Sequence, residues 1–161
     1  MTTPPISTQG RVLFASLDRS LYVVDADSRS QLMQFETDGA VSAPMAYADG
    51  YLYMASEDFS LYCININDVN MKLGAVRWQA RTGLPVRTAP HVIGQHVMVM
   101  PMRGGMHYLT AATGEQVWWR PEITGLVSAS LDVIYGSDKS GNVMLIDQVD
   151  GAPLGVIPLP D

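Results

Sequence analysis

The residue types that most often do chemistry are few in this 161-residue sequence. Three histidines, His91, His96 and His107, and one cysteine, Cys63, are present. His91 and His96 flank a Gly94–Gln95 turn, and His107 falls on a neighbouring predicted strand. Histidine is a common metal ligand, but the spacing of a zinc site is absent and no cysteine or glutamate completes a ligand set. We therefore predict neither a metal site nor a catalytic residue.

Cys63 and the aspartates are each explained by local structure. Cys63 occupies the same place in its repeat as Val23, which predicts a buried small side chain instead of a reactive thiol. A set of aspartates falls at predicted turns, where the carboxylate bonds to nearby backbone. These are Asp18, Asp25, Asp27, Asp49, Asp58, Asp68, Asp138, Asp147 and Asp150. The alternative is a calcium site, but the ligand spacing of an EF-hand loop is absent.

Composition narrows the class of protein. Hydrophobic residues make up 47% and charged residues 16%, a balance that favours a packed core over disorder. The net charge is −6 and the basic residues are scattered, so we expect no nucleic-acid partner. No apolar stretch approaches the roughly 18 residues of a membrane span. The N terminus lacks the basic start and apolar stretch of a secretion signal.

The elements that carry these residues are short β-strands. Apolar runs bounded by Gly, Asp, Asn and Ser predict strands, and no segment has the sustained 3.6-residue period and caps of a long helix. The predicted strands are residues 12–16, 21–25, 32–37, 41–48, 51–56, 61–66, 75–80, 86–93, 96–101, 106–110, 116–120, 126–131, 133–136, 143–147 and 153–159.

Three landmarks recur along the chain in the same order. A Ser/Thr-Ala step opens a strand at Ser42, Thr88 and Ser128, at offsets of roughly 46 and 40 residues, which is the length of a propeller blade. An apolar pair follows a tight turn, and a bulky residue precedes the Ser/Thr-Ala step. The pairs are Leu21–Tyr22, Leu61–Tyr62, Met106–His107 and Val143–Met144, and the bulky residues are Met33, Trp78 and Trp118. A β-sandwich would not repeat this order.

The repeat resembles that of the PQQ-type propeller family, which includes quinoprotein dehydrogenases and BamB-like lipoproteins that assist outer-membrane barrel assembly. The matching segments are Leu21–Asp25, Leu61–Asn65, Tyr108–Gly114 and Val143–Asp147. The resemblance covers residues 11–158 and implies an all-β fold. We expect a β-propeller arc of about four four-stranded antiparallel blades, either half of a seven- or eight-bladed ring or a fragment of one.

The repeats divide the chain into an N-terminal tail, residues 1–10, and four blades at about 11–40, 41–82, 83–123 and 124–161. Because rings of the family usually have seven or eight blades, three arrangements stay open. The remaining blades belong to a longer chain, a second copy or another chain completes the ring, or four blades close on themselves.

The resemblance also implies roles for individual residues. In the family a tryptophan docks between adjacent blades, so Trp78 and Trp118 are predicted docking residues, with Met33 as a softer substitute. The fourth repeat departs from the pattern, because Gly155 stands at this place.

For function we predict a non-enzymatic binding or assembly scaffold with a protein partner, and the resemblance suggests the periplasm or cell envelope. An insertion in the second repeat makes Asn70, Met71 and Lys72 a predicted partner-contact loop. The alternatives are the propeller portion of a PQQ- and calcium-dependent alcohol or sugar dehydrogenase, and a polysaccharide-binding module. Since no residue matches the cofactor ligands one by one, we expect no cofactor.

Overall fold

The computed structural model describes residues 3–67 and 75–159, which form β-strands joined by turns and contain no helix. The strands are β1 (Ile6–Thr8), β2 (Arg11–Ala15), β3 (Ser20–Asp25), β4 (Gln31–Glu36), β5 (Ala46–Ala48), β6 (Tyr51–Ser56), β7 (Ser60–Asn65), β8 (Val76–Arg81), β9 (His91–Ile93), β10 (His96–Val99), β11 (Met106–Thr110), β12 (Gln116–Arg120), β13 (Gly125–Ala129), β14 (Val133–Ser137), β15 (Val143–Asp147) and β16 (Pro153–Ile157). No helix of this part of the chain is long and apolar enough to cross a membrane.

Every four consecutive strands form one antiparallel sheet, so the sheets are β1–β4, β5–β8, β9–β12 and β13–β16. We call them blades 1 to 4. This confirms the predicted all-β propeller fold. Because antiparallel neighbours alternate in direction, the first and third hairpin turns of each blade lie at one end, which we call the turn end. The second hairpin turn and the crossing to the next blade lie at the opposite end.

Two parts of the strand prediction differ from the structure. Ile6–Thr8 falls in the predicted tail, yet it pairs with β2 and completes blade 1. The predicted strands 41–48 and 86–93 shorten to Ala46–Ala48 and His91–Ile93. Pro44 and Pro90 lie just before these strands, and proline cannot donate a ladder hydrogen bond. The residues ahead of them cross from one blade to the next.

In residues 3–67 and 75–159 the hydrophobic core consists of three clusters, one at each junction between neighbouring blades. Strand β6 shows how the sequence builds them. Successive side chains point to opposite faces, so Leu52 and Met54 pack towards blade 1 while Tyr53 and Ala55 pack towards blade 3. All four side chains are buried. A blade is therefore apolar on both faces. We call the face towards the next blade in the sequence the forward face, and the opposite one the back face.

The third and fourth strands of every blade share one irregularity. Their pairing shifts register immediately after Val23, Cys63, Tyr108 and Leu145, in blades 1 to 4 respectively. The residues paired with these four are Met33, Trp78, Trp118 and Gly155. These residues are therefore structurally equivalent, and we call their place the docking position.

At two docking positions an indole lies against a glycine turn of the next blade. The Nε1 of Trp78 donates to the Ala111 carbonyl at 2.9 Å. A β-carbon added to Gly114 would lie 2.5 Å from the Trp78 ring. Gly114 also has a φ of 74°, a left-handed conformation that favours glycine. Both the backbone conformation and the indole above it therefore exclude larger residues at position 114.

Trp118 repeats this arrangement against blade 4. Its Nε1 donates to the Gln148 carbonyl at 3.1 Å, and a β-carbon on Gly151 would lie 2.7 Å from the indole. The ring also stacks on Tyr108, with centroids 4.6 Å apart and planes at 10°. Met33 in blade 1 is buried in the first cluster, which also contains Ile66 and Ala75 on either side of residues 68–74.

We expect Trp118→Ala to lower the free energy of unfolding by about 3 to 5 kcal/mol, because it empties a packed junction between two blades. Trp119→Ala is the matched control, since Trp119 is the next residue and its side chain is 49% exposed. Denaturant titration of both variants measures the difference. A loss for Trp118→Ala no larger than that of the control would contradict the docking role.

Candidate functional site

The turn end of every blade is built around the same backbone hydrogen bond. The residue that follows the third strand donates its N–H to a carbonyl in the first hairpin turn. The pairs are Ala26 to Gly10 at 2.8 Å, Ile66 to Gly50 at 3.2 Å, Ala111 to Gln95 at 2.8 Å, and Gln148 to Asp132 at 3.0 Å. This bond holds the two hairpin turns side by side, so each blade presents one equivalent pair of tip residues.

In each blade, the two tip residues are the one that precedes the residue with the acceptor carbonyl and the one that follows the residue with the donor N–H. They are Gln9 with Asp27, Asp49 with Asn67, Gly94 with Ala112, and Leu131 with Val149, in blades 1 to 4 respectively. In the first three blades the pair is polar or small. In blade 4 it is aliphatic, and Leu131 is 92% and Val149 81% exposed. We call these two residues the apolar tip.

The turns that carry the apolar tip are held rigidly. The Val149 N–H donates to Asp147 Oδ1 at 2.7 Å. With its amide oriented to satisfy both groups, Gln148 accepts from the Tyr108 hydroxyl at 2.6 Å and donates to the Ser130 carbonyl at 3.1 Å. Tyr108 is fully buried. The buried Tyr108 of blade 3 therefore anchors Gln148, which lies next to the apolar tip of blade 4.

Isolated surface hydrophobic residues are common and need no explanation. The apolar tip differs because it joins two aliphatic side chains on turns that are already fixed. Burial of one such side chain stabilises a complex by about 1.5 to 3 kcal/mol, and a fixed surface loses little conformational entropy on binding. The chemistry available at this site is apolar contact, with no bond made or broken.

Several cavities, of about 160 to 630 Å³, lie elsewhere in the described residues. One of about 630 Å³ is an open groove along β5 and β9, the first strands of their blades, which we call inner strands, and it includes Leu126 and Ala129 of β13. Another, of about 160 Å³, lies at the turn end between blades 2 and 3. There the Arg77 guanidinium covers the Tyr51 ring at 4.7 Å and its Nε donates to the Ala112 carbonyl at 3.1 Å. Arg77 is thus engaged in the junction between the two blades.

The three histidines lie on three strands of blade 3. His96 stacks on Tyr108 with ring centroids 4.6 Å apart. His107 Nδ1 lies 2.7 Å from Gln116 Oε1, and burial lowers the pKa of His107. His91 is exposed on the inner strand β9. Within residues 3–67 and 75–159, no three side chains of His, Cys, Asp or Glu are grouped as a metal site requires.

The predicted contact loop, Asn70, Met71 and Lys72, lies outside the described residues. Its flanking residues Asn67 and Ala75 belong to the turn end of blade 2, the same end that carries the apolar tip. The sequence prediction did not include Leu131 and Val149. A comparison of equivalent turn positions across the four repeats would have found them.

A family model for the outer membrane protein assembly factor BamB matches residues 17–155. The chain belongs to the BamB family. This confirms the resemblance predicted from the repeat. A search of curated proteins found no sequence match.

Solved structures agree with the fold that the BamB family implies. BamB from Moraxella catarrhalis matches 98% of this chain and 49% of its own, with a TM-score of 0.78 and 14% identity. The computationally designed Ika8 protein matches 96% of this chain and 48% of its own, with a TM-score of 0.75 and 16% identity. The chain therefore spans about half the length of each.

A third similar structure is the quinohemoprotein alcohol dehydrogenase ADHIIG from Pseudomonas putida HK5. It matches 94% of this chain and 33% of its own, with a TM-score of 0.71 and 13% identity. At this level of identity the likeness concerns the fold alone. The same blades therefore occur in an assembly factor and in an enzyme.

We expect Cys63 to be inert in the native protein, because it is buried in the junction between blades 2 and 3. Burial raises the pKa of its thiol to about 11. On the order of one thiol in a thousand is then ionised at pH 8, and the thiolate is the reacting species. A chromogenic disulfide reagent should label one equivalent in urea and almost none in buffer. Rapid labelling of the folded protein would contradict this burial.

Proposed function

We propose that this BamB-family chain is a non-enzymatic scaffold that binds another protein through its turn end, with Leu131 and Val149 as the contact. One observation carries the proposal. Of four equivalent tips in the described residues, only that of blade 4 presents two aliphatic side chains, at 92% and 81% exposure. The family model supports a role in the assembly of outer-membrane proteins and a place in the cell envelope.

The partner's chemistry follows from the surroundings of the tip. Asp132 and Asp150 are exposed next to Leu131 and Val149, and the whole chain carries a net charge of −6. A matching surface has a small apolar pocket rimmed by lysine or arginine. The aliphatic pair supplies the affinity, because central desolvated contacts dominate binding energy. The carboxylates orient the encounter and suppress binding to acidic surfaces.

Site-specific crosslinking tests the proposal. We expect a photoreactive residue placed at Leu131 or Val149 to form an adduct with a defined protein in the native cells. The same residue at Gln9 or Asp27, the equivalent tip of blade 1, is the matched control and should form none. Equal adducts at both tips, or none at either, would overturn the proposal.

The double variant L131D/V149D should weaken binding of the purified crosslinked partner about 100-fold, because two aliphatic contacts of roughly 1.5 kcal/mol each are lost. Its free energy of unfolding should change by no more than about 0.5 kcal/mol, since both positions are surface turns. Titration calorimetry and denaturant titration measure the two effects. An unchanged affinity would show that the adduct reports proximity alone.

The second candidate function is the propeller portion of a quinoprotein dehydrogenase, which the fold shared with ADHIIG supports. Such a protein holds calcium, which takes six to eight oxygen ligands. Asp49 is the only carboxylate among the described residues that line the inner groove. This donor set does not fit. Trp78 and Trp118 are buried between blades, which also disfavours a polysaccharide-binding role for them.

We expect no new visible absorption band and no dye-linked alcohol or sugar oxidation when the protein is mixed with PQQ and calcium. Absorbance spectroscopy and a dye-reduction assay measure these two signals. The appearance of both would replace the scaffold proposal with the dehydrogenase.

A further inference from the structure

A cavity of about 200 Å³ lies between blades 3 and 4 at the end of the molecule opposite the turn end. Its walls come from three segments. These are the second hairpin turn of blade 3 (residues 100–105), the crossing to blade 4 (residues 121–124), and Lys139 in the second hairpin turn of blade 4. Because the apolar tip lies at the other end of blade 4, this cavity is a separate place on the protein.

The charge of the cavity reverses the pattern of the repeat. Among the described residues that line it, two are cations and none is a carboxylate. Arg103 lies five residues before the register shift of its blade, at the place that Asp18 and Asp58 take in blades 1 and 2. Lys139 lies six residues before the shift in blade 4, where blade 2 has Glu57. Two places that are acidic in other blades are therefore basic here.

A second cavity shows what the unaltered pattern gives. It has about 330 Å³, lies at the same end of blade 2, and is lined by Asp38, Glu57 and Asp58 together with Arg81. The whole chain has 16 acidic and 10 basic residues, so an acidic lining is also what its composition favours. The cavity between blades 3 and 4 is therefore opposite in sign both to this cavity and to the chain as a whole.

The carboxylates nearest in sequence are engaged elsewhere. Glu122 faces Arg120, with its Oε1 3.6 Å from Nη1. Asp138 accepts from the Asn142 side chain at 2.9 Å and from the Ser140 N–H at 2.8 Å, within its own turn. Among the residues that the structure describes, neither cation of the cavity makes an ion pair. An anion between these two exposed like charges would replace their repulsion with attraction.

The rest of the wall is aliphatic and fixed. Ile123 is fully buried in the third hydrophobic cluster, between the forward face of blade 3 and the back face of blade 4, and Met100 packs against this cluster. A β-carbon at Gly105 would lie 2.4 Å from the Pro121 Cα, so the turn of blade 3 rests directly on the crossing segment. A wall held in this way loses little conformational entropy when a ligand binds.

We propose that this cavity binds a small aliphatic carboxylate. The carboxylate lies between the Arg103 guanidinium, whose planar fork matches it in two hydrogen bonds, and the Lys139 ammonium. The hydrocarbon lies against Ile123 and Met100. At about 30 Å³ of liquid volume per water molecule, the cavity has the room of roughly seven waters, which suits a carboxylate of about five carbons. Inorganic phosphate would leave the aliphatic wall uncovered.

Nuclear magnetic resonance titration of the whole chain with pentanoate tests the proposal. We expect saturable binding with a dissociation constant of about 1 mM. The methyl groups of Ile123 and Met100 should shift, and those of Met54 and Ile64, buried between blades 1 and 2, should not. The two matched probes are 1-pentanol and inorganic phosphate. Each should bind at least about tenfold more weakly, since each lacks one of the two contacts.

The probes also define the results that would overturn the proposal. Equal binding of 1-pentanol would leave an apolar cavity without a role for the cations. Equal binding of inorganic phosphate would leave a charged surface without a role for the aliphatic wall. The absence of saturable shifts at Ile123 and Met100 with pentanoate would remove the site altogether.

A pair of double variants separates this site from the general effect of charge. R103Q/K139Q should raise the dissociation constant of pentanoate at least about tenfold, because the charged hydrogen bonds are lost. R19Q/R29Q is the matched control, since it removes two positive charges from exposed positions of blade 1 and should leave the affinity unchanged. Near-UV circular dichroism checks that both variants are folded. An equal loss in both, or no loss in R103Q/K139Q, would refute the proposal.

Discussion

Each blade is apolar on both faces and cannot cover either of them by itself. In blade 2, Met54 and Ile64 point one way and Ala55 and Cys63 the other, and all are fully buried. Such a sheet gains its stability only when neighbours lie against it, so the blades form a series of nearest-neighbour contacts. The three hydrophobic clusters are these contacts, and among the residues that the structure describes no blade has a core of its own.

Directional contacts give the series its regular spacing. A hydrophobic face alone would allow one sheet to slide over the next. The indole of Trp78 on Gly114, with its hydrogen bond to the Ala111 carbonyl, defines a single relative position. The same register shift lies next to every docking position, Gly155 included, so the four blades share one backbone geometry there.

The tip residues at the turn end are free to vary, because the hydrogen bond that joins the two hairpin turns does not use their side chains. The hydrogen bond between the two hairpin turns of each blade joins backbone atoms only, such as the Gln148 N–H and the Asp132 carbonyl. Residues beside it can be polar, as Asp49 is, or aliphatic, as Leu131 is, without affecting the core. A fold of this kind can carry different side chains at its tips, and similar blades occur in an assembly factor and in a dehydrogenase.

Local signals in the amino-acid sequence were enough to predict the repeat, the all-β class and the equivalence of Met33, Trp78, Trp118 and Gly155, because period-two patterning and turn residues act over a few positions. Features that depend on neighbouring blades or strands could be identified only from the folded structure. Ile6–Thr8 is a strand only because β2 offers a free edge, and the residues before Pro44 leave the strand because they must reach the next blade. Leu131 and Val149 stand out in the sequence when equivalent turn positions of the four repeats are compared. Only the folded chain shows that their two turns lie side by side, because the backbone hydrogen bond from Gln148 to Asp132 joins residues that are far apart in sequence.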